Sequence, residues 1–183
     1  PEPFNQRAVA TGAGRIFTLT KELWSGHPCC SIAMSKEWRT AHPEKARRIT
    51  AALTQASQMA NDPAQKDQVA EILSREKYLN QKRELFLPTL AGTYQNWEGE
   101  EKTDHERISF GNPTNPTAIT WMATQLARWN LGGDTLTMDD PTLIHLADSV
   151  LPDDVPRGGD PVTINGRVFD AHTPTAGYEV YTR

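Results

Sequence analysis

Three residues within four positions could do chemistry together: His27, Cys29 and Cys30. Adjacent thiols beside an imidazole can bind a soft metal, exchange redox equivalents or line a pocket. A closed tetrahedral zinc site needs a second ligand pair elsewhere. No second cysteine pair exists, and His42, His105, His145 and His172 show no helical ligand spacing. The plainer alternative is two small side chains buried at a strand start, since free cysteine is among the most buried residue types. A bridge between the two would strain the peptide that joins them and staple nothing, so no disulfide framework is expected. The second candidate is Glu2, held between Pro1 and Pro3. Flanking prolines stiffen the loop, so its carboxylate could contact a ligand or a hinge, or simply be solvated. There is no G-x-S-x-G, P-loop, G-x-G-x-x-G or H-E-x-x-H, and no enzymatic activity or cofactor is expected.

The elements that must position these residues read as follows. Phe4 to Thr11 is a short helix broken by Gly12-Ala13-Gly14. Arg15 to Thr20 alternates as a strand, Lys21 to Trp24 makes one helical turn, and Cys29 to Met34 reads as a buried strand. Ser35 is an N-cap, and Pro43 opens a long helix at a position where its missing N–H costs nothing. In that helix Ala46, Ile49, Leu53, Ala56 and Ala60 form one apolar stripe. Asp62-Pro63 restarts a helix through Leu73. Asn80 caps another that Pro88 ends at Leu87. A long loop follows, with one strand at Ile108-Ser109-Phe110. Gly111 to Pro116 is a turn into an amphipathic helix marked by Ile119, Met122, Leu126 and Trp129, with Trp38 and Trp121 also expected in the core. Asp140-Pro141 starts a helix to Ser149. Asn165-Gly166 between Val162 and Phe169 is a type I′ hairpin signal.

With 183 residues, 37% hydrophobic and 23% charged, the chain suits about one globular domain. Net charge is −4 and no block of like charges stands out, which argues against nucleic-acid or polybasic membrane binding. No apolar run reaches the ~18 residues of a membrane span. The strands are too few and scattered to build a sheet of their own. With a start at Pro1 rather than Met, the chain is expected to be a processed product or a piece of something longer.

The segment Pro1-Glu2-Pro3-Phe4-Asn5-Gln6-Arg7-Ala8 resembles the Gly-Glu-Pro-Trp-Asn-x-Arg-Ala segment of nitrate- and bicarbonate-binding proteins of ABC importers. The likeness continues in register through Gly12-Ala13-Gly14, Lys21-Glu22-Leu23-Trp24, His27-Pro28, Trp38 and His42-Pro43-Glu44-Lys45. It resumes at Gln125 to Trp129, Ile164-Asn165-Gly166, Phe169-Asp170, Pro174 and Tyr178. The resemblance implies an α/β chain with a partial type II periplasmic-binding-protein fold, helix-rich with few short strands and a C-terminal β-hairpin. It implies the C-terminal half of a two-lobe protein, residues 1–34 ending the second lobe and making the return crossover and residues 35–183 completing the first. A small-molecule ligand would lie in the cleft, touched by Glu2, Cys29, Cys30 and Pro1, and the partner would be the importer's membrane permease. The setting would be periplasmic or lipid-anchored, or cytoplasmic for a ligand-sensing regulatory domain. Family nitrate binders carry Glu-Lys where Cys29 and Cys30 stand, and a Gly where Pro1 stands. A thiol-lined, uncharged pocket suits a softer or less charged ligand than a bare oxyanion. A weaker likeness, to pyrimidine-precursor synthases of thiamine biosynthesis with their Cys-rich run, is the enzymatic alternative.

Overall fold

The computed structural model describes residues 2–111, 115–153 and 155–176. Pro1, Asn112 to Thr114 in the expected turn, and Tyr178 lie outside them. The chain divides into two compact units: Pro1–Leu19 with Ile32–Asn112, and Thr20–Ser31 with Pro113–Arg183. Among the described residues no helix is long and apolar enough to cross a membrane.

The first unit holds α1 (Phe4–Ala10), α3 (Lys36–Ala41), α4 (Pro43–Asn61), α5 (Lys66–Ser74), α6 (Arg83–Ala91) and the hairpin β1 (Thr93–Gln95) with β2 (Glu101–Thr103), whereas α2 (Thr20–Leu23) falls in the second. The local start signals hold. Ser35 accepts the Trp38 N–H at 3.1 Å, Pro43 occupies the first turn of α4, and Asp62 accepts the Ala64 N–H at 2.9 Å. The core is Val69, Ala70, Phe86 and Leu90, with Met59, Leu73 and Phe110 against it. Burial of that apolar face is what makes α5 and α6 stable at nine residues each.

Several expectations fail here, each for a physical reason. Pro88 does not end its helix: α6 starts later, at Arg83, and runs past Pro88 to Ala91. The turns on either side of Pro88 are anchored by buried Phe86 and Leu90, which offsets the lost backbone bond. Asn80 caps nothing; it turns the chain with φ 47°. The 108–110 strand is absent, and Phe110 instead has its N–H and C=O engaged by the Asn61 amide at 3.0 and 2.8 Å. The strands lie earlier, as β1 and β2, paired antiparallel with Tyr94 opposite Lys102. Arg15 to Thr20 makes only one parallel bridge, Ile16 to Asn96. Cys29 to Met34 is neither strand nor buried: it has no ladder partner among the described residues, and Ile32 is 69% exposed. In α4 only Ala46 is buried, so the expected stripe is largely uncovered, with Ile49 and Leu53 in the open.

Gly92 ends α6 at φ 83° and has a second reason to be glycine. A Cβ there would lie 2.0 Å from the Asp104 carbonyl oxygen. The Asp104 N–H donates to Gly92 O at 2.9 Å, which fastens the far end of the hairpin to the helix.

The second unit holds α2, α7 (Pro116–Arg128), α8 (Asp140–Val150) and the hairpin β3 (Val162–Ile164) with β4 (Arg167–Phe169). Asn115 caps α7 and Asp139 caps α8. Asn165 and Gly166 both have positive φ, as a type I′ turn requires. The α7 face is not the expected one. It buries Thr117, Ala118, Thr120, Ala123 and Thr124, while Leu126 and Trp129 stay exposed. Small side chains admit the close approach of α8, whose Leu143 and Ala147 are fully enclosed. The hydroxyls of Thr120 and Thr124 donate to carbonyls of their own helix, which is how these two polar side chains are buried with their hydroxyls satisfied. Trp121 does pack, edge-on against Trp24 with ring centres 5.0 Å apart.

Candidate functional site

Glu2 enters on the short loop before α1, and the helix start fixes its carboxylate. The Gln6 N–H at the first turn donates to Glu2 Oε2 at 3.2 Å, and the Thr89 hydroxyl of α6 lies 3.5 Å from the same oxygen. The other oxygen, Oε1, accepts from Arg107 Nη2 at 2.5 Å. Arg107 arrives from 105 residues away, on the turn that Asp104 O closes by accepting the Arg107 N–H at 2.9 Å. Its side chain is 1% exposed against 14% for Glu2, so the pair is removed from water. Its Nη1 also donates to Gln6 Oε1 at 3.1 Å and to Thr93 O at 2.6 Å, and the guanidinium lies 5.4 Å from the Tyr94 ring centre. Only its Nε is buried without a hydrogen-bond partner. Both Glu2 oxygens are thus engaged by protein groups, and the cluster joins α1, α6 and the β1–β2 hairpin. Arg107 was invisible to sequence reading because it lies in an aperiodic charged stretch, and nothing local announces its partner.

Cys29 and Cys30 belong to the second unit, on the irregular stretch after α2 that begins with half-buried His27 and Pro28. Both thiols are free and exposed. Cys30 Sγ donates to Cys29 Sγ at 3.8 Å. That hydrogen bond, followed by partial burial, pushes the Cys29 thiol above its ordinary value, so it is protonated at neutral pH. Among the described residues no three His, Cys, Asp or Glu side chains gather as a metal site. The pair therefore offers two adjacent sulfur donors.

A third feature was not foreseen from sequence. In the first unit an open apolar groove of about 470 Å³ is lined by Ile32, Ala33, Met34, Ser35, Trp38 and Ile49. The exposed stripe of α4, legible in the sequence, forms part of one wall. The remainder comes from the extended residues Ile32 to Met34, the Ser35 cap and Trp38 of α3.

Comparison with known proteins places these features in a family context. Residues 1–74 match the NMT1-like family. The nitrate import ATP-binding protein NrtC of Synechococcus elongatus is 31% identical over 130 residues, which are 68% of this chain and 19% of NrtC. The nitrate/nitrite binding protein NrtA of the same organism is 28% identical over 133 residues, 70% of this chain and 30% of NrtA. The crystal structure of the periplasmic nitrate-binding protein NrtA from Synechocystis PCC 6803 superposes with a TM-score of 0.80 at 23% identity, over 96% of this chain and 50% of that one. The chain thus spans about half the length of that solved protein, and the matched parts of NrtC and NrtA are smaller shares of theirs.

Proposed function

The chain resembles nitrate- and bicarbonate-type substrate-binding proteins of ABC importers and shares their type II periplasmic-binding-protein fold, and from that premise we propose that it is the C-terminal half of such a component, one that takes up a small anion or small polar solute of the nitrate, bicarbonate and sulfonate class. The observation that carries this reading is the 28% identity to a nitrate/nitrite binding protein across 70% of the chain. In this reading residues 1–34 end the second lobe and make the return crossover, and residues 35–183 complete the first. The uncovered apolar residues Ile32, Ile49 and Leu53 support it, because a lobe completed by further chain needs such a seam. The solute lies in the cleft between lobes, with Cys29 and Cys30 toward it. Glu2 acts there through Arg107, as the pin of its loop rather than as a free carboxylate. The permease of the importer is the partner, and the setting is periplasmic or lipid-anchored.

The test is a thermal-shift screen of the whole protein against nitrate, nitrite, bicarbonate, cyanate and sulfonates. A ligand at a hundred times its Kd adds about 2.7 kcal/mol of stability, visible as a raised Tm. A flat response to the entire set at millimolar concentrations sinks the reading.

A second reading has its own support. NrtC is an ATP-binding protein, and it is 31% identical over 68% of this chain. The module could then be a sensor joined to an ATPase, on the cytoplasmic side. Solute-dependent ATP hydrolysis by the intact polypeptide favours the sensor; solute-dependent stimulation of a separate transporter favours the importer component.

A further inference from the structure

Two adjacent cysteines invite a disulfide, but the geometry argues against one. Neighbouring Cα atoms across a trans peptide are ~3.8 Å apart, short of the ~4.4–6.8 Å that an unstrained bridge spans. A strained and exposed bridge is also the readily reduced kind. The pair therefore persists as a dithiol, and its spacing suits a different bond. A centre bonded to both sulfurs at about 2.3 Å, the length of a zinc–thiolate bond, would subtend an angle of roughly 110° at the observed Sγ–Sγ separation of 3.8 Å. Zinc would still lack half its ligands, since no third donor gathers here among the described residues. An element that needs only three bonds, and prefers sulfur, is satisfied by these two thiols and one hydroxide from water.

We infer that Cys29 and Cys30 form a two-sulfur chelating site for a trivalent thiophilic metalloid, with arsenous acid as the ligand. Both thiols are exposed, so the approach is open. The ligand is uncharged at neutral pH, so no counter-charge is needed beside the sulfurs. The reaction is a condensation without electron transfer: two S–H and two As–OH bonds break, two As–S bonds form, and two waters leave. One hydroxide stays on arsenic. The inference stands on the thiol pair alone and holds whether the module feeds an importer or serves as a sensor.

The test uses the reduced protein with equimolar sodium arsenite, read by native mass spectrometry and by thiol titration. The chain has only two cysteines, so the titration is unambiguous. The expected result is one arsenic per chain and both thiols silenced. Cys29→Ser and Cys30→Ser, with circular dichroism unchanged, should each bind roughly a hundredfold more weakly, because the second sulfur acts at a high effective concentration. Two thiols still titratable in excess arsenite overturn the inference. So does arsenic that joins two chains, or undiminished binding by either serine variant. Nitrate thermal shifts on the same samples separate the two claims: an arsenite failure beside an intact nitrate response removes this site and leaves the importer reading standing.

Discussion

Glu2–Arg107 and Cys29–Cys30 are opposites in how their polar atoms are occupied. The first cluster is drawn from residues 105 apart, and its guanidinium is removed from water. It is answered on nearly every side by Gln6, Thr93 and Tyr94. The second is made by chain neighbours, lies in the open, and is held by a hydrogen bond from one thiol to the other. A cluster satisfied by the protein holds the fold. A cluster that answers only itself is free to meet something else. The contrast runs against first impressions from sequence, where the carboxylate between prolines and the thiol pair look equally available.

The largest way to break this comparison is Arg107→Ala. It leaves Glu2 largely buried without its counter-charge and should cost about 3–5 kcal/mol, read as a lower urea midpoint. A loss under 1 kcal/mol would mean the pair is not what joins α1, α6 and the hairpin. Gly92→Ala comes next. It forces a Cβ against the Asp104 carbonyl at a positive φ and disturbs the turn that carries Arg107. A cost of about 1–3 kcal/mol is expected from the backbone alone, and the Arg107→Ala, Gly92→Ala double variant should lose less than the sum of the two. Asp139→Ala sharpens the comparison from the thiols' own unit by removing the α8 cap, with a smaller drop in the urea midpoint than either variant above. At the other extreme, Cys30→Ala should shift stability by less than about 0.5 kcal/mol, because an exposed thiol holds nothing in place. The same variant should alter the thermal response to whichever solute binds; an unchanged response would remove that thiol from the pocket.

Acid and alkali should also act differently on the parts. Asp62 is held below the usual carboxylate range by the Gln65 side chain and then the Ala64 N–H, and Asp139 by the Thr137 hydroxyl and then the Thr142 N–H. Their folded values are depressed, so the stability they contribute is present above the ordinary carboxyl value and is lost as pH falls through the lowered one. Cys29 has the opposite sign. Its folded value is raised, so the unfolded chain releases that proton first and stability falls as pH rises past the ordinary thiol range. Cys29→Ser should lessen the slope in the thiol range and leave the acid one, while Lys102, raised by its Glu100 partner, keeps a share of the slope at higher pH.

What sequence reading recovers is what neighbours in the chain decide. The caps at Ser35, Asp62 and Asp139, the proline start of α4 and the Asn165-Gly166 turn all depend on contacts a few residues long. Periodicity went wrong where packing had the choice of face. In α7 the large apolar residues Leu126 and Trp129 suggested the buried side, but threonines that bond their own helix allow the small side to be enclosed. Pro88 shows the same override, with burial of Phe86 and Leu90 outweighing a local stop signal. The extended stretch from Cys29 to Met34 has strand-like composition without a ladder, since a strand is defined by its partner as much as by its own residues. As for the candidate site, the thiols were legible by adjacency. Arg107 was not, because its pairing with Glu2 exists only after folding.

The uncovered row on α4 sets the conditions under which any of these measurements succeed. Ile49 faces water beside Trp38 and Ile32, Leu53 is exposed further along the same helix, and water expels such a surface more strongly on warming. Samples should therefore be handled cold and dilute, and light scattering against concentration should rise steeply unless Ile49 and Leu53 are exchanged for lysine.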